Sequence, residues 1–163
     1  MKAPAGLREV GAHMSIAGGV HLALERGHAL GCGAVQIFLK NQRQWAARPL
    51  TADETKAFHG TRRRTRIRHV FAHASYLINL AAPGEPQWRR AVDAFVDELE
   101  RAEALDLACV VIHPGSHMGA GRDAGVARVV AALDEARRAT ISARPRAGPT
   151  RSPSARSTSA SPA

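Results

Sequence analysis

The sequence predicts an α/β fold built on a parallel sheet. Three observations predict it. Four short apolar runs alternate with four amphipathic segments of helical period between Val10 and Ala139. That alternation is the pattern of strand–helix units with parallel strands. The apolar content of 45% over 163 residues suffices for one domain with a real core. Three of the four strand-like runs carry a histidine at or near their carboxyl end, where α/β sheets place their sites.

Each element has its own signal. "REVGAHMS" reads as a short strand running into a loop. "GGVHLALERGHALG" reads as a helix, with Val20, Ala23, Leu24 and Gly27 on one face and Gly31 as its stop. "CGAVQIFLK" is a second strand. "PLTADETKAFHGTRRR" opens a helix in which Thr51 and Glu54 form a capping box, satisfying first-turn amides that otherwise lack partners. "RIRHVFAHAS" is a third strand ending in His73. "PQWRRAVDAFVDELERAEALD" is the clearest helix, with Val92, Phe95, Val96 and Leu99 at i, i+3, i+4 and i+7. "LACVVIHPGS" is the fourth strand. "DAGVARVVAALDEARRA" is the fourth helix, with Val126, Val129, Val130 and Leu133 on its apolar face.

Composition narrows the class. Aromatics are only 4%, so the core is expected to rest on Val, Leu, Ile and Ala. Cys32 and Cys109 lie far apart in apolar surroundings and read as reduced core residues of a cytoplasmic protein. The first residues lack the apolar segment of a signal peptide, and no run approaches the ~20 residues of a membrane helix. The formal charge of +9 favours a polyanion partner, nucleic acid first, although arginine-rich coding bias gives the same excess. Residues 143–163 supply four of those charges and hold no Leu, Ile, Val, Phe or acidic residue. They are expected to form a disordered Arg/Pro/Ser/Ala tail beside an ordered unit at 1–142.

Several stretches can carry chemistry, each with a plainer alternative. His73 and His113 end neighbouring strands and can form half of a zinc site, or can simply cap strands. His117 belongs to the loop and reads as solvated. Asp93, Glu98 and Asp134 lie on helices and read as solvated faces. "KNQRQW", residues 40–45, can contact phosphates through Arg43, or can be a polar loop with Trp45 packed beneath it. "SYLINL", residues 75–80, places Tyr76 beside Leu77, a pair that can wedge into a base stack or close the end of the fold. "RRRTRIR", residues 62–68, precedes the third strand and so lies at the rim opposite the histidines.

Taken together, "GAHMSIAGG", "QIFLKNQRQW", "HASYLINL" and "VVIHPGSH" resemble, in order and spacing, the amino-terminal half of the endonuclease IV family. The resemblance runs from about Val10 to Ala139. It implies part of a TIM barrel, about four βα units of it, with three zinc ions at the carboxyl ends of the strands in the complete enzyme. It implies cleavage of the phosphodiester 5′ to an abasic site in double-stranded DNA, in base excision repair, with no obligate protein partner. By position, His73 and His113 match two ligands of one zinc. Arg43, Tyr76 and Leu77 match the residues that enter the DNA at the lesion. His13 matches the first-strand motif and receives no ligand role.

The chain also departs from that pattern. The family's other ligands are a glutamate on the next strand and Asp, His and Glu residues beyond it, and no matching motif follows His113. Ala74 stands where such enzymes often carry an acidic residue. The composition of 143–163 is what a shifted reading frame in GC-rich DNA produces. The expectation is a truncated chain, marginally stable, prone to self-association and inactive alone. Two other readings stay open: a metal-dependent sugar isomerase or epimerase of related fold, and a non-catalytic DNA-binding remnant.

Overall fold

In the computed structural model, residues 10–143 are described. Their elements are β1 (Gly11–Met14), α1 (Val20–Ala29), β2 (Ala34–Phe38), α2 (Ala52–Thr65), β3 (His69–His73), α3 (Glu85–Ala104), β4 (Val110–Val111) and α4 (Arg122–Ala143). The strands form one sheet in the order β1-β2-β3-β4, and every pairing is parallel. This is the α/β arrangement of four strand–helix units, part of a TIM barrel. The tail from 144 onward lies outside the described residues, so the expected boundary at 142–143 stands as an expectation.

The register separates the two sheet faces. Met14 pairs with Ile37, and Ile37 with Ala72. Those residues, with Val35 and Val70, are buried against α1 and α2 in the first core cluster. Side chains alternate along a strand, so the intervening residues share the opposite face. His13, Gln36 and Phe71 are in register there, as are Phe38, His73 and Val111. That second face is the inner one of a barrel, and it carries all the strand-end histidines.

The helices form as their sequences dictate. In α1 the buried residues are Val20, Ala23, Leu24 and Gly27, the face expected from the spacing. Thr51 Oγ1 accepts from Glu54 N at 3.2 Å and Glu54 Oε2 accepts from Thr51 N at 2.8 Å, which completes the capping box of α2. In α3, Val92 and Phe95 are buried, with Val96 and Leu99 packed half-buried against the second core cluster. Trp88 anchors α4 to α3: its Nε1 donates to Arg128 O at 3.2 Å, and the Arg128 guanidinium lies 4.4 Å from the ring.

Three expectations need correction. The α4 stripe does not face the core: Val126, Val130 and Leu133 are 55%, 53% and 44% exposed, and only Val129 packs against it. The buried positions are instead Gly125, Ala132 and Ala136, whose small size lets α4 approach its neighbours closely. Cys109 is exposed, because it lies beside the open β4 edge, and Cys32 is only half-buried; both are free thiols. Glu98 is not on a solvated face but is 1% exposed, for reasons given below.

Candidate functional site

The carboxyl ends of the strands gather an aromatic cluster on the inner face. Its centre is His73, 7% exposed, at the end of β3. Around it lie the rings of His113 at 5.1 Å, Tyr76 at 5.2 Å, Phe38 at 5.6 Å and His13 at 6.4 Å, centroid to centroid. Tyr76 also stacks on His113, with an interplanar angle of 27° at 5.7 Å.

Hydrogen bonds fix how two of these histidines present themselves. His73 Nδ1 donates to Ala74 O at 2.7 Å. With the proton on Nδ1, the Nε2 lone pair is left for another partner, the arrangement that backbone carbonyls give to metal-binding histidines. His13 Nδ1 donates to Gln36 Oε1 on the neighbouring strand at 2.9 Å, which holds that ring against Phe38. His113 lies two residues beyond β4 and is exposed, so it is presented by the loop and not by a strand end. Ala72 N donates to Cys109 O and Ala74 N to Val111 O, which continue the β3–β4 pairing around that short strand.

The loop after β4 has a built shape. Asn79 Oδ1 accepts from Ser116 N at 2.9 Å, and its Nδ2 donates to Ser116 O at 3.0 Å. Gly115 sits at φ +102°, and a Cβ there would overlap the Asn79 side chain. The glycine of "HPGSH" is thus required both for its backbone conformation and for this contact. His117 Nδ1 accepts from Gly119 N and Gly121 N, both at 3.2 Å. These two bonds tie it to the turn that leads into α4.

The residues expected to meet DNA lie on two adjoining loops. Tyr76 is 63% exposed and Leu77 half-buried. Arg43 is exposed, with its backbone N bonded to Asn41 Oδ1 at 3.0 Å. Ser75 Oγ donates to Gln42 O at 2.8 Å, so the residues just before Tyr76 and Arg43 are directly joined. Trp45 takes the plainer of its two readings: it packs partly buried against the second core cluster, with the Arg90 guanidinium 4.3 Å from its ring. The arginines of 62–68 run from the last turn of α2 to the residue before β3, the opposite rim, where Arg64 pairs with Glu25 at 2.6 Å.

Sequence reasoning missed a buried charge cluster beneath these loops. Lys40, 5% exposed, donates to Asp97 and lies 3.6 Å from Glu98 Oε1. Glu98 Oε1 accepts from Ser75 N at 3.3 Å. Arg101 Nε donates to Asp97 Oδ1 at 3.0 Å. Burial pushes the Glu98 carboxyl above its ordinary range, and the nearby Lys40 only partly opposes that. Burial also pushes Asp97 upward, but its bonds to Lys40 and Arg101 outweigh that and hold it low. The one signal available was Lys40 itself, a lysine directly following an apolar strand.

Among the described residues, no group of three or more His, Cys, Asp and Glu side chains converges as a metal site. His73 and His113, with rings 5.1 Å apart, could supply two ligands of a zinc ion. They do not fit a complete zinc site, which takes at least three protein ligands.

The comparisons with known proteins agree with the fold. A family model described as xylose isomerase-like TIM barrel matches residues 24–144. A protein of Chloroflexus aurantiacus named probable endonuclease 4 is 50% identical over 123 residues, covering 76% of this chain and 43% of its own length. The crystal structure of endonuclease IV from Thermus thermophilus superposes with a TM-score of 0.73 at 40% identity, covering 82% of this chain and 48% of that one. A D-psicose 3-epimerase of Clostridium cellulolyticum superposes at 0.52 with 16% identity over 82% of this chain and 49% of its own, a likeness of fold alone. The chain spans less than half the length of the curated relatives it matches. It belongs to the xylose isomerase-like TIM-barrel family, and relatives at 40–50% identity carry the name probable endonuclease 4.

Proposed function

We propose that this chain is the lesion-facing part of a zinc-dependent endonuclease that cleaves the phosphodiester 5′ to abasic sites in double-stranded DNA. The reaction class is phosphodiester hydrolysis in base excision repair, in the cytoplasm. The observation that carries the reading is the rim cluster in which His73, His113 and exposed Tyr76 converge beside the Arg43 loop. Identity to endonuclease 4 proteins over 76% of the chain supports it.

The roles follow from chemistry. Arg43 offers a guanidinium for a phosphate, which sets register on the duplex. Tyr76 and Leu77 offer an apolar wedge for an unstacked step. Extrusion costs least where a base is already missing, so such a wedge selects abasic sites. Bound zinc ions would supply an ionised water and neutralise charge on the attacking and leaving oxygens. With only two ligands among the described residues, no hydrolytic step is assigned to this chain alone. A small sugar needs neither an exposed wedge nor an arginine loop, so the epimerase reading gains nothing from this rim. The reading as a remnant that binds through its tail concerns residues outside those described.

The test is an incision and binding assay on the 163-residue chain with abasic and intact duplexes, with and without zinc. The expected result is preferential binding of abasic duplex without incision. Efficient zinc-dependent incision would show that the metal site is complete in this chain. Equal binding of both duplexes would overturn the wedge.

A further inference from the structure

The buried cluster on α3 touches both DNA-facing loops, and it does so at the residues that flank the exposed ones. Lys40 follows β2 closely and begins the loop that carries Arg43. Arg101 Nη2 donates to Ala47 O at 2.8 Å and to Arg48 O at 2.7 Å, near the far end of that loop. Asp97 bonds both cations, so one turn of α3 pins the loop at residues 40 and 47–48. Glu98, beside Asp97, holds Ser75 N at 3.3 Å, and Ser75 Oγ returns to Gln42 O at 2.8 Å. Arg43 and Tyr76 are therefore each one residue beyond a pinned position.

Stability alone does not explain this construction. Buried charges lose hydration that their attraction only partly restores, and apolar side chains of similar volume often do as well or better. Glu98 Oε2 is buried without a hydrogen-bond partner among the described residues, so the network is not fully satisfied; what its formed bonds fix is a geometry. Here that geometry is the relation between two loops whose tips are solvent-exposed. We propose that Lys40, Asp97, Glu98 and Arg101, acting through Ser75, are positioning residues that hold Arg43 and Tyr76 at one fixed spacing for a distorted duplex. The proposal rests on the reading of Arg43 and Tyr76 as DNA contacts. Lys40, Ser75, Glu98 and Arg101 are buried, so the role assigned to them is positioning and not contact.

The experiment uses the full chain with Ser75→Ala, Glu98→Ala and Glu98→Gln. Two readouts are taken without added metal. One is amide hydrogen exchange over residues 41–48 and 76–79, with α1 as the internal control. The other is the ratio of affinities for abasic and intact duplex of one sequence. Ser75→Ala and Glu98→Ala are expected to speed exchange in both loops together and to lower the ratio by about threefold or more, the loss of a hydrogen bond's worth of geometry. Exchange in α1 stays native. Glu98→Gln keeps an acceptor for Ser75 N and is expected to restore most of both. Native exchange in 41–48 with a native ratio in Ser75→Ala would overturn the positioning role, and that variant leaves the ion pairs intact should Glu98→Ala fail to fold. If the unsubstituted chain shows no abasic preference, the functional reading fails on its own. The exchange data then still decide whether the two loops are coupled.

Discussion

The rings of His73, which ends β3, and His113, in the loop two residues beyond β4, lie 5.1 Å apart, one buried and the other exposed. His73 keeps its Nδ1 on Ala74 O, so its Nε2 is the atom free to meet a metal ion under the proposed function. Two imidazoles make a weak site for zinc, not a closed one. The chain is expected to take up zinc with low affinity, and His73→Ala or His113→Ala to weaken it by at least about tenfold. His117→Ala should leave zinc affinity unchanged, since that ring is engaged by backbone amides. Competition against a chromophoric chelator measures all three. Native affinity in His73→Ala would remove the pair as a site.

Gly27 marks the closest approach of α1 to the sheet. A Cβ at this position would overlap Val35 Cγ2, and Val35 is fully buried. Neither backbone can retreat without disturbing Leu24 and Ile67 in the same core cluster. Gly27→Ala should therefore destabilise by about 1–3 kcal/mol, even though alanine is the better helix former. Urea denaturation at constant slope checks it; a gain in stability would mean that the helix–sheet gap is looser than the geometry shows.

These two cases show what the sequence made legible and what it did not. Gly27 fell on the buried stripe of α1 by spacing alone, and Thr51 with Glu54 formed the expected capping box, because both depend on residues within one element. His73 and His113 could be paired because β3 and β4 run parallel side by side, although the register partner of His73 is Val111 and His113 follows in the loop. Glu98 could not be placed, because its burial depends on Lys40, 58 positions away in the sequence, an ion partner that no local period reveals. Val126, Val130 and Leu133 were read as core from their spacing, yet no described element packs over them; hydropathy states what wants covering and not what covers it.

Those three residues, with the 42% exposed Val111 on the open β4 edge, lead to the next expectation. A strand edge and a contiguous apolar helix face that no described element covers both favour association. The chain should show concentration-dependent self-association in sedimentation velocity. The double substitution Val126→Lys with Val130→Glu should shift it towards monomer while circular dichroism stays unchanged. A native chain that is monomeric across the concentration range would exclude this.

Glu98 and Asp97 give stability opposite dependences on pH, although they are adjacent and share Lys40. The Glu98 carboxyl is held above its ordinary value of 4.5, by burial first, against the opposing pull of Lys40 and of Ser75 N. The native state then binds that proton more tightly than the unfolded chain does. Its contribution is complete below about pH 4.5 and is lost as pH rises through the raised native value. Asp97 is held below 3.8, because its bonds to Lys40 and Arg101 overcome burial. Its contribution is present above that value and is lost as pH falls through the lowered native one. Glu98→Gln should therefore flatten the decline on the rising side only, and Asp97→Asn the decline on the acid side only. Urea midpoints across the acidic and neutral range separate the two. An Asp97→Asn profile flattened on the rising side would assign the protons the other way round.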